Sequence, residues 1–417
     1  MIENLIIFNA HVVTPAGFSA RCGKEMGRLS ILDFATVEVT RGIITYVGAS
    51  RGEERDGYYN RYWHFNARGR CLLPGFVDSH THFVFDGDRA GEFNRRLRGE
   101  NYLSIMQSGG GIAATVRATR KNSYYHLRAR AESFLKQMSL MGVTTVEGKS
   151  GYGLDRDTEL RQLKVMQSLQ NEEQRRVDIV PTFLGAHAIP EEYAGRADAY
   201  IDFLIDDMLP YIAGHRLAEF CDVFCEEGVF SVEQSRRLLT AARKHGLGLK
   251  LHADEIVSLG GAELAAELHA TSADHLLHVS DAGIRQMRDA GVVATLLPLT
   301  AFILKEPYAR GRQMIDAGLA VALATDLNPG SAFSGSIPLT FALACLYMGM
   351  TVEEAITALT LNGAAALNRA DKLGSIEVGK QGDFVLLNTD DYRQLTYYVG
   401  MNCVTTVIKR GVIHPGL

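Results

Sequence analysis

The chain has one tryptophan, ten prolines and six cysteines in 417 residues. Cys22, Cys71, Cys221, Cys225, Cys345 and Cys403 are scattered and form no C-x-x-C pair, so they read as reduced, mostly buried thiols rather than a disulfide framework. No apolar run is long enough to cross a bilayer. The opening MIENLIIFNAHVV lacks the basic segment, long apolar core and small-residue cleavage site of a secretory signal. Nor is there an excess of positive charge: 43 Lys and Arg against 48 Asp and Glu leave a net charge of -5, which argues against a general nucleic-acid binder. No internal repeat or low-complexity segment is apparent. These absences predict a cytoplasmic globular protein with neither a membrane nor a nucleic acid as partner.

What is present divides the chain into two styles. Residues 1–72 are β-rich: LIIFNAHVVTP, LDFATVEVT and GIITYVGAS are short apolar or alternating runs separated by turn residues. Residues 373–417 return to that style with GDFVLLNT and CVTTVIKRGVI, so the two ends are expected to form one small β-sandwich domain. Between them, over 73–372, eight short apolar runs alternate with helical stretches. The runs are FVDSHTH (76–82), VTTVEGK (143–149), DIVPTFLGAHA, FCDVFCEE, LGLKLHADE, ADHLLHV, VVATLLP and VALATD (321–326). Stretches such as SVEQSRRLLTAARKHG carry apolar residues at three- and four-residue spacing. The alternation predicts an α/β fold of the (β/α)8 TIM-barrel type, although an open doubly wound sheet has the same signature.

In such a barrel, chemistry gathers at the C-terminal ends of the strands. His80 and His82 close the first run, His252 and Glu255 the fifth, and Asp326 the eighth; His275 and His278 lie in the sixth. Alternate strand residues share a face, so H-x-H can aim two imidazoles at one point. Neutral imidazoles with a carboxylate suit zinc or another first-row metal, and a metal with an open position activates water near neutral pH. Taken singly, each of these residues has an ordinary structural explanation. Together, at strand ends of one inferred barrel, His80, His82, His252 and Asp326 are expected to bind a metal.

Glu255, in HADE, is placed to move a proton between water and a leaving nitrogen; the alternative is a surface carboxylate at a helix start. His275 could polarise a substrate carbonyl, hold water or make a structural hydrogen bond. His278 is expected to be structural. Arg89, just beyond the H-x-H loop, could hold a substrate carboxylate through paired hydrogen bonds. Some hydrolase barrels bridge two metals with a carboxylated lysine on the fourth strand. Here the fourth run has no lysine and Lys149 ends the second, so a single-metal site is expected.

The set PGFVDSHTH, LHADE, ATD and GSIEVGKQGDFVLL resembles the amidohydrolase superfamily. FDGDRAGEF, GGGIAATVRATR, TTVEGKSGYGLD, TFLGAHAIPEEY, FCDVFCEEGVFS and ATDLNPGS are similar to its imidazolonepropionase family and span almost the whole barrel. The resemblance implies hydrolytic ring opening of 4-imidazolone-5-propionate to N-formimino-L-glutamate in histidine degradation. It implies one metal per chain, Zn2+ or alternatively iron, held by His80, His82, His252 and Asp326. It places Arg89, Tyr152, His187 and Glu255 on the substrate, with Asn328, Gly330 and Ser331 holding the propionate or the product, and it implies a homodimer. Two positions depart from the family pattern: Gly148 stands where a larger aliphatic residue is expected, and Leu327 where a phenylalanine is. A related amidohydrolase acting on another cyclic amide, or deaminating an aminoheterocycle, is the alternative; a non-catalytic metal-binding scaffold is a remote one.

Overall fold

The computed structural model describes residues 4–50, 52, 56–100, 109–172 and 176–415. Eight parallel strands follow one another in chain order: Phe76–Asp78, Val143–Lys149, Asp178–Ala186, Phe220–Cys225, Gly248–Ala253, Ser272–His275, Val293–Leu296 and Val321–Leu323. Seven fall inside the runs read from the sequence, and the sixth overlaps its run, starting one residue earlier at Ser272. Helices lie between them, and their buried stripes explain the packing. Helix Val232–Lys244 starts at a Ser231/Gln234 capping box and buries Leu238, Leu239 and Ala242.

The first and eighth strands meet through the residues just past their ends. The Asp326 N–H donates to the His80 carbonyl (3.0 Å) and the His82 N–H to the Leu327 carbonyl (2.9 Å), with Thr81 paired to Leu327. The barrel is therefore nearly closed, and its seam runs through the H-x-H segment. Regular strand geometry ends earlier here than the sequence suggested, at Asp78 rather than His82 and at Leu323 rather than Asp326. The cause is local. The Asp78 carboxylate, buried and pushed up to about 7 by that burial, takes over the ladder by accepting from the Thr325 N–H (2.9 Å) and hydroxyl (2.6 Å). Asp326 then turns left-handed at φ 53. In the sixth strand His275 (φ 75) and Leu276 (φ 61) do the same, so His278 lies beyond the strand rather than in it.

Among the described residues a second, nine-stranded mixed sheet joins the two ends of the chain. Cys71–Pro74 pairs parallel with Leu5–Thr14 and antiparallel with Phe384–Leu387, which continues to Val404–Lys409 and Val412–Pro415. An ion cluster clasps this sheet to the base of the barrel. Lys409 Nζ lies 2.8 Å from Asp178 Oδ2 and 2.7 Å from Asp383 Oδ2, and Arg410 also reaches Asp178. Burial opposes the charge on Asp178, but Lys409 and Arg410 outweigh it and hold the carboxyl below its usual range. Lys409→Met leaves two buried carboxylates without their ammonium and is expected to cost about 3–5 kcal/mol. Thermal or urea unfolding at neutral pH checks this. The loss should shrink as pH falls and Asp178 protonates, because a depressed carboxyl stabilises only while ionised.

Candidate active site

The four residues expected to bind a metal come together at the C-terminal mouth of the barrel. His80, His82 and His252 have ligand nitrogens within 4.8 Å of one another, and His80, His275 and Asp326 form a second such set. The ring centroids of His80 lie 5.3 Å from His82, 4.6 Å from His252 and 5.3 Å from His275. Asp326 Oδ1 sits 3.5 Å from His80 Nε2 and 3.7 Å from His82 Nε2.

Burial makes three of these imidazoles weak bases. It holds His80, His82 and His275 well below the ordinary histidine value, with neighbouring charges adding to the effect at His80 and His82. Those three rings are thus neutral at pH 7, the form that ligates. Several of their nitrogens are buried and lack a hydrogen-bond partner among the described residues: His80 Nε2, His252 Nε2 and both nitrogens of His275. Buried polar atoms without partners are rare in native folds, and this convergent group fits a cation.

The opposite nitrogens are held from below. His80 Nδ1 is 2.7 Å from Asp274 Oδ2, and His252 Nδ1 is 3.0 Å from Asp222 Oδ2. Asp222 also accepts the His252 backbone N–H (3.1 Å). Lys149 Nζ lies between these carboxylates, 2.7 Å from Asp222 and 3.4 Å from Asp274, and 3.0 Å from Glu147; Lys250 Nζ is 3.1 Å from Glu147 Oε2. Burial works against the charge on Lys149, but the three carboxylates outweigh it and keep the ammonium protonated. A carboxylate on Nδ1 fixes the tautomer and turns Nε2 to the shared point. Asp222, Asp274, Glu147 and Lys250 were not singled out from the sequence. Their only signal is charge inside otherwise apolar strand runs, which a central strand tolerates only in pairs.

Glu255 lies partly buried beside this set, its Oε1 3.5 Å from His275 Nδ1. Burial, with Asp326 and Glu226 nearby, pushes its carboxyl up to about 8; burial likewise raises Asp326 to about 6. The Glu255 loop is pinned by Glu226, which accepts from the backbone N–H groups of Glu255 (3.1 Å), Ile256 (2.8 Å) and Val257 (3.3 Å).

On one side of the mouth, Tyr152 and His187 pack together at 5.2 Å, and His187 stacks on His82 at 5.1 Å. Burial holds His187 down to about 3, so it is neutral. Arg89 enters beside the turn after the eighth strand: a Cβ on Gly330 would lie 2.5 Å from Arg89 Nη1, so a side chain there would push the guanidinium aside. Glu92 steadies Arg89 (2.9 Å). Within the turn, Asn328 Oδ1 accepts from the N–H groups of Gly330 (2.7 Å) and Ser331 (2.8 Å), and its amide donates to Ser331 Oγ (2.9 Å). Asn328 therefore shapes the turn that Gly330 and Ser331 occupy. The sequence-expected site residues thus lie around one mouth.

Of the two departures expected from the family pattern, Gly148 has a packing reason. A Cβ on Gly148 would meet Phe83 Cε1 at 2.7 Å and Met166 Sδ at 3.0 Å, so those side chains already fill the volume. Leu327 is buried in the main core and its backbone carbonyl accepts the seam bond from the His82 N–H, but nothing in the structure explains leucine rather than phenylalanine there.

The amidohydrolase family model matches residues 110–413. The chain is 74% identical over 415 residues to an imidazolonepropionase of Bacteroides thetaiotaomicron, with 100% of each chain covered. It is 57% identical over 411 residues to one of Clostridium tetani, with 98% of each covered. Among solved structures, 5-methylcytosine deaminase from Klebsiella pneumoniae superposes with a TM-score of 0.75 at 16% identity, covering 99% of this chain and 98% of that one. Guanine deaminase from C. acetobutylicum gives 0.70 at 14% identity, covering 99% and 100%. These structural likenesses speak to the barrel and sheet alone.

Proposed function

Because this chain belongs to the amidohydrolase family, and within it to the imidazolonepropionases that open a cyclic amide in histidine degradation, we propose how its residues share that reaction. The substrate is the small molecule 4-imidazolone-5-propionate, and hydrolysis of its ring C–N bond gives N-formimino-L-glutamate. His80, His82, His252 and Asp326 hold one metal ion, zinc by the nitrogen-rich donor set, with iron the alternative. When bound, that ion supplies Lewis acidity and lowers the pKa of water into the neutral range.

Arg89 takes the propionate carboxylate, and the Asn328–Ser331 turn closes around it. Tyr152 and His187 flank the ring and set its orientation. Glu255 accepts the proton of the attacking water as a tetrahedral oxyanion forms at the ring carbonyl. His275, 3.5 Å from Glu255, faces that developing charge. Glu255 then delivers its proton to the ring nitrogen, and the C–N bond breaks. A carboxyl raised by burial is suited to both transfers, since a proton carrier works best with a pKa near the working pH.

The observation that carries the reading is the convergence of unpartnered imidazole nitrogens, Asp326 and the raised Glu255 at the closing seam of the barrel. Purified protein of known metal content, given imidazolonepropionate, should yield formiminoglutamate without free ammonia. Ammonia released from an aminoheterocycle, with imidazolonepropionate untouched, would transfer the site to a deaminase. Arg89→Met should raise KM by roughly 10- to 100-fold with little change in kcat, because a charge-assisted contact made equally in ground and transition states is lost. Steady-state kinetics over a wide substrate range separates the two constants.

A further inference from the structure

One buried carboxylate beside the site has no part in the chemistry above. Glu159 lies in the first turn of helix Arg156–Gln170, fully enclosed, with its carboxylate bonded to the turn Ser150–Leu154. Its Oε1 accepts the N–H of Gly153 (2.8 Å) and Leu154 (2.9 Å), and both oxygens lie 3.1 Å from the Gly151 nitrogen. The Ser150 hydroxyl donates to it as well. Every one of these donors flanks Tyr152.

The turn is not one the chain would adopt unaided. Gly151 has φ 104 and Leu154 φ 54, the latter in the left-handed region that side chains avoid. A Cβ at Gly151 would lie 2.8 Å from the Leu184 carbonyl, and one at Gly153 would lie 2.6 Å from the Glu159 nitrogen. Glycine is therefore required on both sides of Tyr152, and two flexible residues need an external anchor to hold one shape. The same turn orients a second side chain: the Gly151 carbonyl is 3.0 Å from His187 Nδ1, which makes that nitrogen the protonated one of the neutral ring.

We propose that Glu159 is a positioning residue for the substrate: its carboxylate fixes the 150–154 turn in the conformation that presents Tyr152 and His187 together. It acts before substrate arrives, so the ordering cost is met on folding rather than on binding. This rests on the reading that Tyr152 and His187 touch the substrate. None of the proposed metal ligands belongs to the turn, so loss of the anchor should spare metal binding.

The test is Glu159→Gln beside Tyr152→Ala, both metal-loaded and quantified, with the double variant completing a cycle. The amide turns a donor toward donors. KM should rise at least roughly tenfold with kcat changed by no more than about threefold and one metal per chain kept. In the Tyr152→Ala background the same change should add little. A KM within about twofold of the parent, while Tyr152→Ala raises it, overturns the proposal and leaves the site reading standing. Loss of metal and kcat together at unchanged KM also overturns it, making Glu159 a general structural group. If neither Tyr152→Ala nor His187→Ala moves KM, the substrate reading fails and the proposal falls with it. Should Glu159→Gln not fold, hydrogen exchange on the substrate-free parent decides: protected amides at Gly151, Gly153 and Leu154 support a preformed turn, and unprotected exchange refutes it.

Discussion

Glu255→Gln is expected to lower kcat by roughly 10²- to 10⁴-fold while the protein keeps its metal. Glutamine matches glutamate in size but can neither accept nor return a proton. Glu255 is not among the proposed ligands, so metal content should stay at one per chain. An equal fall in metal and activity would show instead that Glu255 holds the ion. The same substitution has an opposite effect on stability. Burial and Asp326 raise the folded-state carboxyl to about 8, so in the metal-free protein the fold retains a proton that the unfolded chain releases. A carboxyl raised in this direction costs stability as pH climbs from its unfolded value toward 8. Metal-free Glu255→Gln should therefore melt higher than metal-free parent at pH 8 and alike at pH 4. This is the usual trade between a strained site and a stable fold. A nearby divalent cation favours the carboxylate, so the acid limb of kcat/KM in the loaded enzyme should lie below 8.

Removing a proposed ligand should act differently. Asp326→Ala deletes the only carboxylate of the proposed set, and His80→Ala removes the imidazole whose ring lies closest to that of His252. Each is expected to weaken metal affinity by more than the roughly 10- to 100-fold that loss of an outer partner such as Asp274 typically costs. Activity should fall in step, and excess metal should restore part of it. Chelator competition with the stripped protein measures the affinity directly. Wild-type affinity in either variant would remove that residue from the site. Asp326→Ala also frees the Thr300 hydroxyl, which now donates to Oδ2 at 2.5 Å, so a small loss of stability should accompany the loss of metal.

Much of the architecture was legible because strand and helix periods differ. Eight apolar runs fell on eight barrel strands, and SVEQSRRLLTAARKHG on a capped helix. The rule that chemistry lies at strand ends then brought residues as distant as His80 and Asp326 to one place. Strand limits were less legible. The first and eighth strands stop early because the Asp78 side chain substitutes for a backbone partner, and no periodicity reports such an exchange. The layer beneath the histidines was missed for a related reason. In FCDVFC, Asp222 reads as one polar interruption, and its meaning appears only when Lys149 and His252 arrive from neighbouring strands. The sequence likewise led to a larger aliphatic residue being expected at Gly148, whereas the ring of Phe83 already occupies that space.

The most direct measurement is a metal titration of chelator-stripped protein, with ring opening of imidazolonepropionate and formiminoglutamate formation followed at each addition. Activity should be absent at the start, rise linearly and level off at one equivalent per chain. Full activity in the stripped protein, or a rise that continues to two equivalents, would contradict a single metal held by His80, His82, His252 and Asp326.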